Sequence, residues 1–147
     1  MKTAKVRKRK WYQFLMKKAD EALKRGFYLE TVFDAYIVID DRLKAICRLE
    51  GIPVKGKRPM LGVHLKKVEE YLGQHPKGVL AGCLNDSNLV KDLWSWTGKR
   101  NIWMHDGGNQ RMTPEQYNTE VKELAEEGCQ LMRRLCNGVM RLHKQKG

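Results

Sequence analysis

Apolar residues along this chain recur at spacings of three and four rather than two. The first run, Trp11, Phe14, Leu15, Ala19, Ala22 and Leu23, lies along one side of a helix. Gly26 is placed to close it. A second run follows at once, Leu29, Val32, Phe33, Tyr36, Ile39, Leu43, Ile46 and Cys47, leading to Gly51. The short connection predicts an antiparallel pair. Residues 51–59 (GIPVKGKRP) contain two prolines and two glycines, which forbid a continuing helix and predict a loop. Residues 61–72 read as a short third helix, whereas residues 73–84, broken by Pro76, Gly78 and Gly82, read as a loop with room for one helical turn.

Asp86 or Ser87 can cap a fourth helix carrying the stripe Leu89, Leu93, Trp96 and Trp103, with Gly98 expected to kink or split it. After Asp106, Gly107 and Gly108, the run Thr113-Pro114-Glu115-Gln116 supplies a capping-box spacing with proline at the first helical position. The last helix then repeats Tyr117, Val121, Leu124, Leu131, Leu135, Val139 and Leu142 at nearly seven-residue intervals. No segment alternates with period two; even Tyr36-Ile37-Val38-Ile39 sits inside a helical rhythm. The pattern predicts an all-α protein, an up-and-down bundle of four to five helices.

Length and charge narrow this picture. At 147 residues the chain is expected to form one domain over residues 11–147. Residues 1–10 carry six Lys or Arg and no acid, and are expected to be a flexible basic tail or a frayed first turn. Arg7, Lys8, Arg9 and Lys10 of this tail, together with Lys99, are the cations expected to grip phosphates. The whole chain holds 29 Lys and Arg against 17 Asp and Glu, a formal charge of +12 that points to a polyanionic partner. Nucleic acid fits best. No apolar stretch approaches the roughly 20 residues of a membrane span, and no signal-peptide core follows the basic start, so a cytoplasmic protein without membrane contact is expected.

The four cysteines, Cys47, Cys83, Cys129 and Cys136, form no C-x-x-C pair and have no His at ligand spacing, which argues against zinc and against a disulfide framework. Cys129 and Cys136, seven apart, share a helix face as small core residues. No cofactor or metal site is expected.

An Arg followed four to six residues later by His is common by chance among eleven arginines and four histidines. Arg58 and His64 satisfy that spacing, but Pro59 and Gly62 stand between them, where no helix holds the two groups in fixed relation. The segment 100–105 differs. Arg100 continues the Leu89, Leu93, Trp96, Trp103 stripe where an apolar residue is due, and Asn101 and His105 are four apart, so the amide can orient the imidazole. Arg100 and His105 diverge by about 140° around the helix, so one chain alone does not bring them together easily. Trp94, Trp96 and Trp103 could stack on bases, although aromatics at helical spacing are more often core. His64, His75 and His143 lack partners at a recognisable spacing and are expected at the surface, as are Asp41 and Arg42.

On Arg100, Asn101 and His105, and on the antiparallel first pair and long closing helix, the chain resembles the HEPN superfamily, small all-α proteins of which many are ribonucleases marked by an R-x₄₋₆-H motif. The resemblance spans most of residues 11–143. It implies a metal-independent endoribonuclease with a toxin or defence role, typically a homodimer that joins two motifs in one cleft. His105 would act as general base on the ribose 2′-OH or as general acid to the leaving oxygen. Arg100 would stabilise the charged phosphorane, and Asn101 would orient His105 or a phosphate. The substrate would be RNA, because DNA lacks the internal nucleophile.

The family also places a supporting acid in an earlier helix. Asp40 lies on the Leu29, Phe33, Tyr36, Leu43, Cys47 stripe, where a carboxylate needs a partner: Arg100, or alternatively Lys44 or solvent. An antitoxin or other regulatory protein is a further implied partner. The branch regulated by nucleotidyltransferase antitoxins carries a Tyr two residues after the motif His, where this chain has Gly107. The competing reading is a non-catalytic helical module that binds RNA or a partner protein.

Overall fold

The computed structural model describes residues 2–106 and 113–146. Its described residues form six helices and no strand: α1 (Lys2–Lys24), α2 (Tyr28–Glu50), α3 (Leu61–Gln74), α4 (Val79–Leu84), α5 (Leu89–Asp106) and α6 (Pro114–Lys146). The all-α expectation holds, with two corrections to the bundle. Residues 79–84, read as a loop with room for one helical turn, make a short helix of their own, so the described residues hold six helices against the four to five expected. The order is also not simply up and down.

Side-chain contacts fix the directions. Lys18 pairs with Glu30 and Lys8 with Asp41, so α1 runs antiparallel to α2. His64 meets Asp40 and Tyr71 meets Glu50, so α3 runs in the same direction as α2 instead of reversing. The connection over residues 51–60 makes this possible. Its nine residues after Gly51 can span up to about 30 Å when extended, enough to travel back along α2. The chain leaves α2 through a left-handed Gly51 (φ 66°), with the N–H of Ile52 bonded to Cys47 and that of Gly51 to Arg48. Arg133 meets Asp20, close to the Lys18 that pairs with Glu30, and Lys146 meets Glu50, so α6 also runs parallel to α2, while Trp96 reaches Leu124 and Asp92 reaches Arg134, setting α5 antiparallel to α6.

Helix α6 is the spine. Its buried stripe, from Val121 through Leu124, Leu131 and Leu135 to Leu142, matches the expected repeat, and Cys129 and Cys136 are buried among it. Burial pushes both thiols up to about 11, so neither offers a thiolate at neutral pH. Two glycines let other helices approach. A Cβ on Gly128 would meet Trp96 at 2.8 Å, and one on Gly138 would meet Leu84 at 2.6 Å. The start of α6 is the expected capping box, with the Thr113 N–H donating to Gln116 and the Gln116 N–H to the Thr113 hydroxyl.

Several expectations change. Residues 2–10, read as a flexible tail or a frayed first turn, are helical and form the first turns of α1. Gly98 does not split α5, which is continuous to Asp106. Trp11 and Phe14, expected on the inner stripe, are 59% and 54% exposed, and Leu29 and Phe33 of α2 are similarly open. Phe14 precedes the buried Leu15 and therefore points about 100° away from it. Arg42, expected at the surface, is buried because it shares the α2 face of Ala35, Val38, Ala45 and Ile46. Its charge is met by the Asp41 carboxylate at 2.7 Å and by the Tyr12 ring, 4.0 Å below the guanidinium.

Candidate functional site

Arg100 stands where the buried stripe of α5 (Leu89, Leu93, Trp96) meets solvent, and its long side chain settles on α2. The guanidinium lies 3.9 Å from the centre of the Tyr36 ring and donates to the side-chain carbonyl of Asn101 at 3.1 Å. A cation held by an aromatic face and one amide keeps most of its five N–H donors free for an anion. Asn101 thus accepts a hydrogen bond from Arg100, its neighbour, where a contact orienting His105 or a phosphate was expected.

His105 occupies the last turn of α5 and is exposed. It stands five positions on from Arg100, about 7.5 Å along the axis and about 140° around it. Within one chain the two side chains therefore present to different faces. Gly107 and Gly108, expected to end this helix, lie outside the described residues. Trp103 braces this stretch edge-on against Tyr117 of α6, with ring centres 4.9 Å apart, and Lys99 pairs with Glu127 of α6 at 3.3 Å.

Asp40 does not serve Arg100. One carboxylate oxygen sits 3.0 Å from His64 Nδ1 and the other 3.1 Å from the Lys44 ammonium, so the Lys44 alternative is realised together with a partner that spacing did not suggest. His64 corrects the surface expectation, being 3% exposed. The sequence carried a signal for it: Leu61, His64, Leu65 and Val68 follow the i, i+3, i+4, i+7 rhythm of a buried stripe, and Asp40 was a core-facing carboxylate wanting a partner. Tyr36 and Asp40 are four apart on α2, so Arg100 and the Asp40–His64 pair approach neighbouring turns of one helix face.

Among the expected phosphate-gripping cations, Arg7, Arg9 and Lys10 are exposed on α1, whereas Lys8 pairs with Asp41 at 3.2 Å. Of the tryptophans, Trp96 is fully buried with its N–H on the Leu124 carbonyl, and Trp94 is half-buried and donates to Glu69. His75 is exposed and stacks on Tyr71.

A groove of about 900 Å³ opens elsewhere, between α3, α4 and α5, lined by Glu69, Asp86, Lys91 and Trp94 among others. Asp86 in it is committed to a fork from Arg134, whose second arm reaches Asp92. That hydrogen bonding holds the Asp86 carboxyl below its ordinary value. The acids in this groove suit a polyanion poorly, and it lies away from Arg100 and His105. No group of three His, Cys, Asp or Glu among the described residues is placed to hold a metal ion, and no helix among them is long and apolar enough to cross a membrane. No family model, curated protein or solved structure matches this chain.

Proposed function

We propose that this chain is a metal-independent endoribonuclease of HEPN type that acts as a homodimer in a toxin or defence role. The supporting observation is the pairing, on one helix, of a guanidinium positioned by Tyr36 and Asn101 with an exposed imidazole five residues on. In this reading His105 moves the proton of the ribose 2′-OH or of the leaving 5′-oxygen, and Arg100 stabilises the charge that builds on the phosphorane. The 2′-oxygen forms a bond to phosphorus as the 5′-oxygen bond breaks, leaving a 2′,3′-cyclic phosphate. The divergence of Arg100 and His105 around α5 makes a second copy part of the proposal, since two motifs facing each other supply an Arg and a His to the same phosphate.

The test is incubation of purified protein with single-stranded RNA in EDTA. Fragments ending in 2′,3′-cyclic phosphate are expected from the wild type and not from His105→Ala or Arg100→Ala. Cleavage retained by a folded His105→Ala protein overturns the catalytic assignment.

A second reading has its own observation. Arg100 rests on Tyr36 rather than beside His105, which suits a module that binds RNA without cutting it. Salt-sensitive RNA binding with no cleavage products by the wild type would favour that module.

A further inference from the structure

The positive charge of this protein is not spread evenly. The contacts Lys8–Asp41, Tyr71–Glu50, Lys146–Glu50 and Arg141 with the Cys83 carbonyl gather the start of α1, the second half of α2, α3, α4 and the end of α6 into one half of the bundle. The corresponding residues 2–13, 40–90 and 137–146 contain 18 Lys and Arg against six Asp and Glu, while the other described residues, 14–39, 91–106 and 113–136, hold 10 against 11. Among the described residues the excess charge therefore resides in one half. Three of the six acids of the basic half, Asp40, Asp41 and Glu50, are already bonded to cations of that half.

At the border of the two halves, Trp11 and Phe14 stand open to solvent on α1, stacked on each other with ring centres 5.8 Å apart and planes 28° apart. The helix needs neither for its core, which Leu15, Ala19 and Ala22 supply. Exposed cations flank the pair at helical spacing. Arg7 is four residues before Trp11, Lys10 four before Phe14, and Lys17 three after Phe14. Since Lys8 meets Asp41 and Lys18 meets Glu30, Phe14 lies beside the middle of α2, where Phe33 is also open. Tyr36, with Arg100 above it, stands one turn further along α2. A chain crossing α2 from the Arg100 guanidinium would thus reach the aromatic pair within about one helix diameter, roughly 10 Å.

We infer that Trp11 and Phe14 form a stacking platform for the bases of single-stranded RNA, whose phosphates are held by Arg7, Lys10 and Lys17. The inference rests on the RNA reading above for the identity of the ligand, but not on cleavage. An exposed aromatic pair flanked by cations serves a strand carrying a flat base and a charge on every unit. The core of a protein–protein interface is depleted of lysine, and a helix lying on a membrane needs a continuous apolar face, which α1 spends on the bundle.

The test uses the full chain and a twelve-nucleotide single-stranded RNA fully 2′-O-methylated, which cannot be cut by its own 2′-oxygen. The Trp11→Ala/Phe14→Ala double variant is expected to bind at least about tenfold more weakly than wild type, with an unchanged salt slope, because base stacking disappears while the cations still grip the phosphates. Arg7→Gln/Lys10→Gln is expected to lower that slope by about one for each cation removed. Circular dichroism of each variant should match wild type, as all four side chains are exposed. Equal RNA affinity for wild type and the aromatic double variant overturns the inference. So does a double variant whose only change is its sedimentation coefficient, which would make the patch a contact between copies, or its loss of binding to anionic phospholipid vesicles. Platform binding without any cleavage of unmodified RNA sinks the catalytic proposal alone, and cleavage without platform binding sinks this one alone.

Discussion

The guanidinium of Arg100 and the ring of Tyr36 face each other at 3.9 Å across the α5–α2 junction, and this contact decides where the charge of Arg100 is offered. If that placement serves catalysis, the ring matters and the phenolic hydroxyl does not. Tyr36→Phe should leave RNA cleavage within about twofold, and Tyr36→Ala should lower it by about tenfold, near the upper part of what a cation–π contact contributes. Single-turnover cleavage rates measure both, and Arg100→Lys should fail in either background because an ammonium cannot reproduce the planar fork.

Mixing two inactive proteins tests whether the site spans two copies. His105→Ala and Arg100→Ala should each be silent alone, yet regain measurable cleavage when unfolded and refolded together. A mixture as silent as its components would restrict the chemistry to one chain.

His64 and Asp40 should matter to stability rather than to cleavage. Replacing the buried His64 by Ala removes a packed ring and leaves the Asp40 carboxylate with Lys44 alone, at a cost of about 2–4 kcal/mol. Urea unfolding midpoints read this directly. A His64→Ala protein as stable as wild type would show that the pair is not a structural tie.

Acid should weaken the tie between α6 and the turn that precedes α5. Hydrogen bonds from Arg134 hold the Asp86 carboxyl below its ordinary 3.8 in the folded state. The stability this brings is therefore present above that value and lost as pH falls through the lower folded one. Arg134→Gln should cost about 1.5–3 kcal/mol at pH 7, with the gap to wild type closing below about pH 4.

Asp34 should behave in the opposite sense. It is 4% exposed, one of its oxygens has no hydrogen-bond partner, and burial raises its carboxyl above 3.8 despite the attraction of Lys18. The folded state favours the protonated acid, so stability is fullest below 3.8 and declines as pH rises through the raised folded value. Asp34→Asn should stabilise the protein by about 1 kcal/mol at pH 7 and gain nothing in acid. Thermal unfolding across pH 3 to 7 separates the two cases.

Local signals were legible in the sequence wherever the physics was local. The Thr113–Gln116 capping box, the end of the second helix at Gly51 and the buried Cys129 and Cys136 depend on a few neighbouring residues, and each is found as read. The direction of α3 was not legible, because it depends on how residues 51–60 lie against α2. Nor was the outward turn of Trp11 and Phe14, since spacing alone does not say which edge of a broad stripe a neighbouring helix will cover. Arg42 and His64 were misjudged for one reason: each was assigned by its polarity, although its position fell on a buried face. At the candidate site, the sequence placed Arg100 at the edge of a core stripe, but its partner Tyr36 sits 64 residues away and only the reach of the Arg100 side chain from α5 to α2 joins them.

The two glycine notches of α6 bear on how this sequence can drift. Trp96 fills the space that a side chain at Gly128 would need, and Leu84 fills that at Gly138. Either position can accept alanine only if its opposite number shrinks, so substitutions at 96 and 128, and at 84 and 138, should arise in pairs among sequences that keep this fold. Paired change at 96 and 128 would also shift the helix that carries Arg100 and His105, which makes that pair the one under the tighter constraint.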